Sequence, residues 1–261
     1  MKPMPIARRT VAFALAGLLL RASTASGAEL GVMTSGAFTA PYLELKAVFE
    51  RDTRNKVVTM ATSMGITPNS IPERLQRGEA VDVVIVDDAA LDDLIAKGKI
   101  LAASKVPLGR SSIGMAVRAG APKPDISTVD ALKNTLLEAK SIAYSSSVSG
   151  RYLSTELFPR LGVAAQIAAK SKKVVGEPVG NVVARGEAEI GFQQVSELLP
   201  IDGIDYVGPL PAEVQKITLF SAGVAAISQQ QDAARAFIKF LASPSAVPVI
   251  VKSGVEPVAP R

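Results

Sequence analysis

Along the chain, short runs of aliphatic and β-branched residues alternate with longer stretches whose apolar positions recur every three or four residues. The first pattern predicts strands and the second helices. Strands are predicted at Leu30 to Met33, Val57 to Ala61, Val81 to Val86, Ile113 to Val117, Ser141 to Tyr144 and Ile190 to Phe192, with a late one near Ser221 to Ile227. Helices are predicted from Phe38 to Arg51, Ser70 to Gly78, Ala89 to Lys97, Val129 to Glu138, Arg151 to Phe158, Pro178 to Arg185 and Gln231 to Leu241. Ser70 and Glu73 have the spacing of a capping box, with Pro72 in the first turn. Val81 to Val86 is almost uniformly apolar, as a strand covered on both faces requires.

This alternation predicts an α/β protein with mixed, mostly parallel sheets. The pattern restarts after Pro107-Leu108-Gly109, and an apolar strand returns late. Two αβ lobes with a cleft between them follow: 29–107 for the first, 108–220 for the second, and 221–261 returning to the first. Arg77-Gly78-Glu79-Ala80 before one buried strand recurs as Arg185-Gly186-Glu187-Ala188 before another. That echo is either a sign of two similar lobes or the coincidence of a common turn.

The N-terminus changes the charge picture. Lys2, Arg8 and Arg9 precede an uncharged run from Val11 to Leu20, and Ser26-Gly27-Ala28 supplies small residues for cleavage. This is the pattern of a secretory signal peptide, its apolar run about half the ~20 residues a bilayer span needs. Cleavage after Ala28 and a periplasmic location are expected; the Arg8-Arg9 pair leaves a twin-arginine route open, although general secretion fits its neighbours better. Segment 1–28 holds four of the 29 basic residues and none of the 24 acids, leaving 25 against 24. The mature part is nearly neutral and has no basic block, so neither nucleic acid nor a membrane surface is expected as a partner.

Cys and His are both absent. Disulfides, thiolate or imidazole metal sites, a cysteine nucleophile and a Ser-His-Asp triad are thereby excluded, and any enzyme here works with carboxylate, Lys, Tyr or hydroxyl groups. No metal or cofactor is expected. Trp is absent and aromatics make up 5% of the chain, which disfavours a sugar-stacking site.

The candidate chemistry lies in four loops between strand ends and helix starts, where open α/β sheets bind ligands. They are Thr34-Ser35-Gly36-Ala37, Thr62-Ser63-Met64-Gly65, Ser145 to Gly150, and Glu177-Pro178-Val179-Gly180. Helix N-termini offer unpaired N–H groups and the positive end of a dipole, so hydroxyls there make a cradle for an anion. Each Ser or Thr taken alone is equally an ordinary N-cap. The serine run, with Ser147 and Ser149, exceeds what capping needs. Arg151 follows it at a helix start, either as a solvated charge or as a clamp for a ligand carboxylate. Gln193 and Gln194 follow the strand Ile190 to Phe192 and would add neutral donors or begin the next helix. Asp87 and Asp88 read as N-cap and first-turn acid for the helix after them.

The Thr34-Ser35-Gly36 loop, Thr62-Ser63, Gly78 to Val83 and Gly191-Phe192-Gln193-Gln194 together resemble the periplasmic molybdate-binding protein family of ABC importers, the ModA-like proteins, across nearly all of the mature chain. The resemblance implies a type II periplasmic-binding-protein fold, a small anionic ligand and a permease partner in the inner membrane; a monomer is expected. It also implies ligand contacts from Ser35, Ser63, Ser149 or Gly150, Val179 and the position of Gln194, where the family has Tyr. Gln194, Arg151 and the Gly65 to Asn69 insertion depart from the family, enlarging or recharging the pocket and favouring an organic di- or tricarboxylate over molybdate. A bacterial aconitate isomerase is similar to the same group. This chain is compatible with that cofactor-free allylic proton shift, with Glu177 as the suggested base, a residue that is otherwise a first-turn helix acid. A ligand-sensing half of a transcription regulator shares the fold but carries a DNA-binding helix pair where the signal-like segment stands.

Overall fold

A computed structural model of the protein describes residues 27–62 and 67–258, so the segment 1–26, Ser63 and Gly65 lie outside the described residues. β1 (Glu29–Thr34) passes through a 3-10 turn at Gly36–Phe38 into α1 (Thr39–Thr53), followed by β2 (Lys56–Met60), α2 (Ile71–Gln76), β3 (Val83–Asp87), α3 (Asp88–Ala96) and β4 (Val106–Ser111). One residue, Ser112, separates β4 from β5 (Ile113–Arg118). Then come α4 (Val129–Glu138), β6 (Ile142–Ser145), α5 (Val148–Tyr152), a π-helical stretch Leu153–Leu157, α6 (Phe158–Arg160), α7 (Ala164–Ile167), β7 (Ser171–Val174), α8 (Val179–Ala184), β8 (Ile190–Gln194), α9 (Val195–Leu198) and β9 (Ile204–Pro209). The last described elements are β10 (Thr218–Val224), α10 (Gln231–Leu241), α11 (Val247–Lys252) and β11 (Glu256–Pro257).

Two open sheets result, ordered β11-β4-β10-β3-β1-β2 and β7-β6-β8-β5-β9. In the first, β2, β1 and β3 run parallel, and β10, β4 and β11 continue antiparallel. In the second, β7, β6 and β8 are parallel and β5 and β9 antiparallel. The sheets are mixed as expected, but the antiparallel share is larger than alternation alone suggests. Its source is the chain's two passages between sheets, which bring β10 and β5 into the sheet interiors against the sense of their neighbours.

Those passages also fix the lobe limits. β4 lies wholly in the first sheet, so the change of lobe falls at Ser112 and not after Pro107. Pro107 sits opposite Ser221 where the register shifts, a bulge that tolerates its missing N–H, and a Cβ on Gly109 would lie 2.4 Å from Val255 Cγ1. Both residues are packing features within a strand, not a linker. The return to the first lobe likewise precedes Thr218, ahead of the expected Phe220 boundary.

Each sheet is covered on both faces. Phe38, Tyr42, Phe49 and Phe237 fill one side of the first sheet, and Ile71, Leu91 and Leu94 the other. Phe158, Leu132 and Leu153 back the second sheet, opposite Val179, Val182 and Val183. This layering explains why β3 and β8 read as unbroken buried runs.

The repeated Arg-Gly-Glu-Ala turns are alike in detail. Gly78 and Gly186 both have φ of +75°, and their N–H groups donate to Leu75 and Val183. Glu79 and Glu187 close the wider loop onto Arg74 and Val182, and each carboxylate pairs with the arginine two residues before it at 2.6 Å. Both are Schellman caps between a short helix and an equivalent strand, β3 in one sheet and β8 in the other.

Candidate functional site

The clefts between the lobes form two adjoining cavities of about 570 and 550 Å³. The first is lined from lobe one by Ser35, Gly36 and Asp87, and from lobe two by Ser146, Ser147, Arg151 and Lys173. The second is lined by Thr34, Thr62, Pro178 and Ser196, among others. Ser35, Gly36 and Glu197 line both, so they mark where the two spaces meet.

Ser35 has extended backbone at the start of the Gly36–Phe38 turn and its side chain makes no cap bond there. Gly36 has φ +74°, and a Cβ on it would lie 2.6 Å from the Phe220 ring, so glycine is required by backbone and packing alike. Thr34 and Thr62 face the second cavity; the Thr62 hydroxyl donates to the Thr34 carbonyl at 2.7 Å, and Thr34 Oγ1 lies 3.2 Å from Thr39 Oγ1.

The serine loop is braced around Ser145, whose Oγ lies 2.8 Å from Ser147 Oγ, 3.0 Å from Ser149 Oγ and 3.3 Å from the Gly150 nitrogen. Ser147 still faces the first cavity. Ser149 and Gly150 do not line either cavity; both are buried, and a Cβ on Gly150 would fall 1.6 Å from the Ser145 carbonyl oxygen. Part of the serine run is therefore internal bracing. Ser146 lines the first cavity, and its Oγ is shut from solvent with no partner among the described residues.

Arg151 is exposed on the first cavity wall, and neither it nor Lys173 is in an ion pair among the described residues. Two uncompensated cations thus border one cavity. The helix bearing Arg151 runs into the π-helical stretch, where Ser154 and Thr155 hydroxyls donate back to the Gly150 and Arg151 carbonyls at 2.9 and 2.8 Å, and Pro159 has no N–H to continue the α ladder.

Three expected positions differ in their surroundings. Val179 is buried and its N–H donates to Gln193 Oε1 at 2.7 Å, so that donor is already engaged. Gln194 lines the first cavity, but its amide spans the lobe crossings. With its oxygen toward Thr218 Oγ1 (3.1 Å), its nitrogen donates to Ser111 Oγ at 2.9 Å and to the Ser112 carbonyl at 3.1 Å. Glu177 lies outside both cavities in a two-point ion pair with Arg185 at 2.9 and 3.0 Å, and that guanidinium holds its carboxyl below the usual range. A surface carboxylate so held is a poor proton acceptor. The Ser70 side chain makes no cap bond, while Asp87 caps α3 by accepting from the Ala90 N–H at 3.0 Å.

Sequence reasoning overlooked Glu197. Its Oε1 accepts from Gln193 Nε2 at 3.1 Å, and its Oε2 is shut from solvent with no partner among the described residues. Burial pushes this carboxyl up to about 8, against the opposing effect of the Gln193 bond. Next to it, the Ser196 hydroxyl donates to the Ala37 carbonyl of lobe one at 2.8 Å. One signal was present: a Gln and a Glu four residues apart, flanked by Val195 and Leu198, at the end of a buried strand.

Two mixed αβ lobes, joined by two crossing segments around a polar cleft, define the type II periplasmic-binding fold. The chain belongs to the bacterial extracellular solute-binding protein family, whose model matches residues 30–256. An aconitate isomerase from a Pseudomonas species is 47% identical over 255 residues, covering 96% of this chain and 97% of its own. The molybdate-binding protein ModA of Azotobacter vinelandii is 29% identical over 247 residues, 92% of this chain and 93% of that one. Among solved structures, the Azotobacter vinelandii periplasmic molybdate-binding protein superposes with a TM-score of 0.71 at 21% identity, over 89% of this chain and 100% of that chain. The sulfate-binding protein SubI from Mycobacterium tuberculosis H37Rv gives 0.69 at 18% identity, over 89% and 88%.

Proposed function

We propose that this chain binds a small organic tricarboxylate between its lobes and interconverts its allylic isomers, the reaction of an aconitate isomerase. The observation that carries the reading is the pair of cations, Arg151 and Lys173, in no ion pair among the described residues, on one cavity that Ser35, Ser146 and Ser147 also line. Several anionic groups on one guest match several separated donors. A compact tetrahedral oxyanion fits less well, because the Ser149 hydroxyl and the Val179 N–H are engaged by Ser145 and Gln193. The extended likeness to an aconitate isomerase supports the same reading.

In the reaction, a C–H bond beside one carboxylate breaks, the double bond migrates, and a C–H bond forms at the far end of the allylic system. The net change is a proton moved between two carbons, with no oxidation. Arg151 and Lys173 would hold carboxylates and stabilise the charge spread over the intermediate. Export with cleavage near Ala28 and work in the periplasm as a monomer complete the reading.

Capture of a polycarboxylate for an ABC permease is the second reading, favoured by the solute-binding family and the two-lobed fold. Purified protein lacking residues 1–28 and mixed with trans-aconitate separates the two. Production of cis-aconitate, followed by proton NMR, is expected. A thermal shift without conversion at high protein concentration points to the transport role, and no shift with any di- or tricarboxylate overturns both.

A further inference from the structure

We infer that Glu197 is the catalytic residue that carries the proton between the two ends of the allylic system. The inference rests on the isomerase reading and names the group that reading lacks. Glu197 sits where the two cavities meet, beside Ser35 and Gly36 of the opposite lobe. Its Oε2 has no partner among the described residues, whereas its Oε1 is held by Gln193. A buried carboxyl with one oxygen anchored and the other unengaged is an unusual thing for a fold to keep, since an apolar or amide side chain would fill the same space without the desolvation penalty.

The placement is fixed from two directions. Gln193 bridges the Val179 N–H at the start of α8 and the Glu197 carboxyl, tying the acid to lobe two. Ser196 ties the same short helix to Ala37 in lobe one. Glu197 is therefore held at the lobe junction, and closure on a guest in the first cavity brings that guest against it.

The step balances on one side chain. The Glu197 carboxylate takes the proton from the substrate methylene carbon, leaving an electron pair delocalised over the allylic carbons and their carboxylates. The resulting Glu197 acid returns the proton to the carbon at the other end, and the double bond settles one position along. The ionisable groups sharing its cavities are Asp87, Arg151 and Lys173. Asp87 is engaged as the cap of α3, and the two cations are placed to hold substrate. With burial pushing the carboxyl to about 8, the share able to act as base grows as pH rises towards that value.

The test compares the mature protein with Glu197→Gln and Glu197→Asp, using trans-aconitate. Thermal shift and calorimetry read binding, and proton NMR reads conversion. Glu197→Gln is expected to bind within a few-fold of wild type and to convert about 10²- to 10⁴-fold more slowly. Glu197→Asp keeps a carboxyl and should fall between them. The wild-type kcat/KM should climb between pH 6 and 8 and level off above. Conversion by Glu197→Gln within tenfold of wild type, or a profile flat from pH 6 to 9, overturns the inference while leaving the isomerase reading intact. If wild type binds trans-aconitate and never converts it, the isomerase reading fails and Glu197 loses its role with it.

Discussion

The cleft combines a guanidinium and an ammonium, neither in an ion pair among the described residues, with a carboxyl that burial keeps protonated at neutral pH. Arg151 is exposed, so its contribution is screened, and Arg151→Ala should weaken trans-aconitate binding by about 2 kcal/mol, roughly thirtyfold by titration calorimetry. Any molybdate affinity should be unchanged by the same substitution. Glu197 makes a prediction independent of catalysis. Its folded pKa of about 8 lies above the ordinary carboxylate value, so between those limits the folded state holds a proton that the unfolded state releases. The stability this gives is complete below the unfolded pKa and is lost as pH rises through 8, at up to about 1.4 kcal/mol per unit. Thermal melts of wild type should therefore fall more steeply from pH 5 to 8 than those of Glu197→Gln; parallel curves would show that the carboxyl is not so buried. At this scale the sequence reveals residue types in loops, and it singles out Ser35, Ser147 and Arg151, three residues that line the first cavity. It does not reveal partners brought from a distance. Arg185 beside Glu177, Gln193 beside Val179 and Ser145 beneath Ser149 each re-engage a group that the chain order alone leaves open.

Elements with a full period of apolar positions were legible: α4 and α10 fall on Val129–Glu138 and Gln231–Leu241, the ranges their patterning predicts. β4, β7 and β9 escaped: the consecutive exposed lysines Lys172 and Lys173 leave β7 without an apolar alternation, and Pro107 and Gly109 interrupt β4. The serine loop shows how an element is set by contacts outside its own pattern. The start of α5 closes over the Ser145 carbonyl, and only a residue without Cβ fits at Gly150. Gly150→Ala should cost about 3 kcal/mol of stability in urea unfolding, because the contact is with backbone that cannot swing aside. Gly162→Ala is a useful contrast. That glycine has φ +68° with nothing within 4 Å of a built Cβ, so its cost is the smaller one of a left-handed residue in open space. Equal losses for the two would argue that Ser145 yields.

The two lobes are joined by Ser112 and by the segment between Pro209 and Thr218, and one side chain touches both. Gln194 joins Ser111 and Ser112 to Thr218, while Gln215 pairs with the Ile113 backbone through both its oxygen (2.8 Å) and its nitrogen (2.9 Å). A hinge built in this way bends through a few residues and keeps each sheet rigid, which is the geometry of closure around a guest. It also reassigns Gln194, which lines the first cavity but spends its amide on the crossings. Closure should be driven by charges on the cavity walls, with Arg151 and Lys173 in lobe two drawing the guest and Ser35 in lobe one meeting it. Small-angle scattering of the mature protein should then show a smaller radius of gyration at saturating trans-aconitate. Arg151→Ala should show the same contraction only at proportionately higher ligand concentration. Gln194→Ala, which unties the crossings without touching either cation, should widen the free-state ensemble and lower the melting temperature while leaving the closed dimension alone. A radius of gyration indifferent to ligand, in a sample whose thermal shift proves occupancy, would mean that the lobes bind as a fixed cleft and that the interlobe ties described here hold them shut throughout.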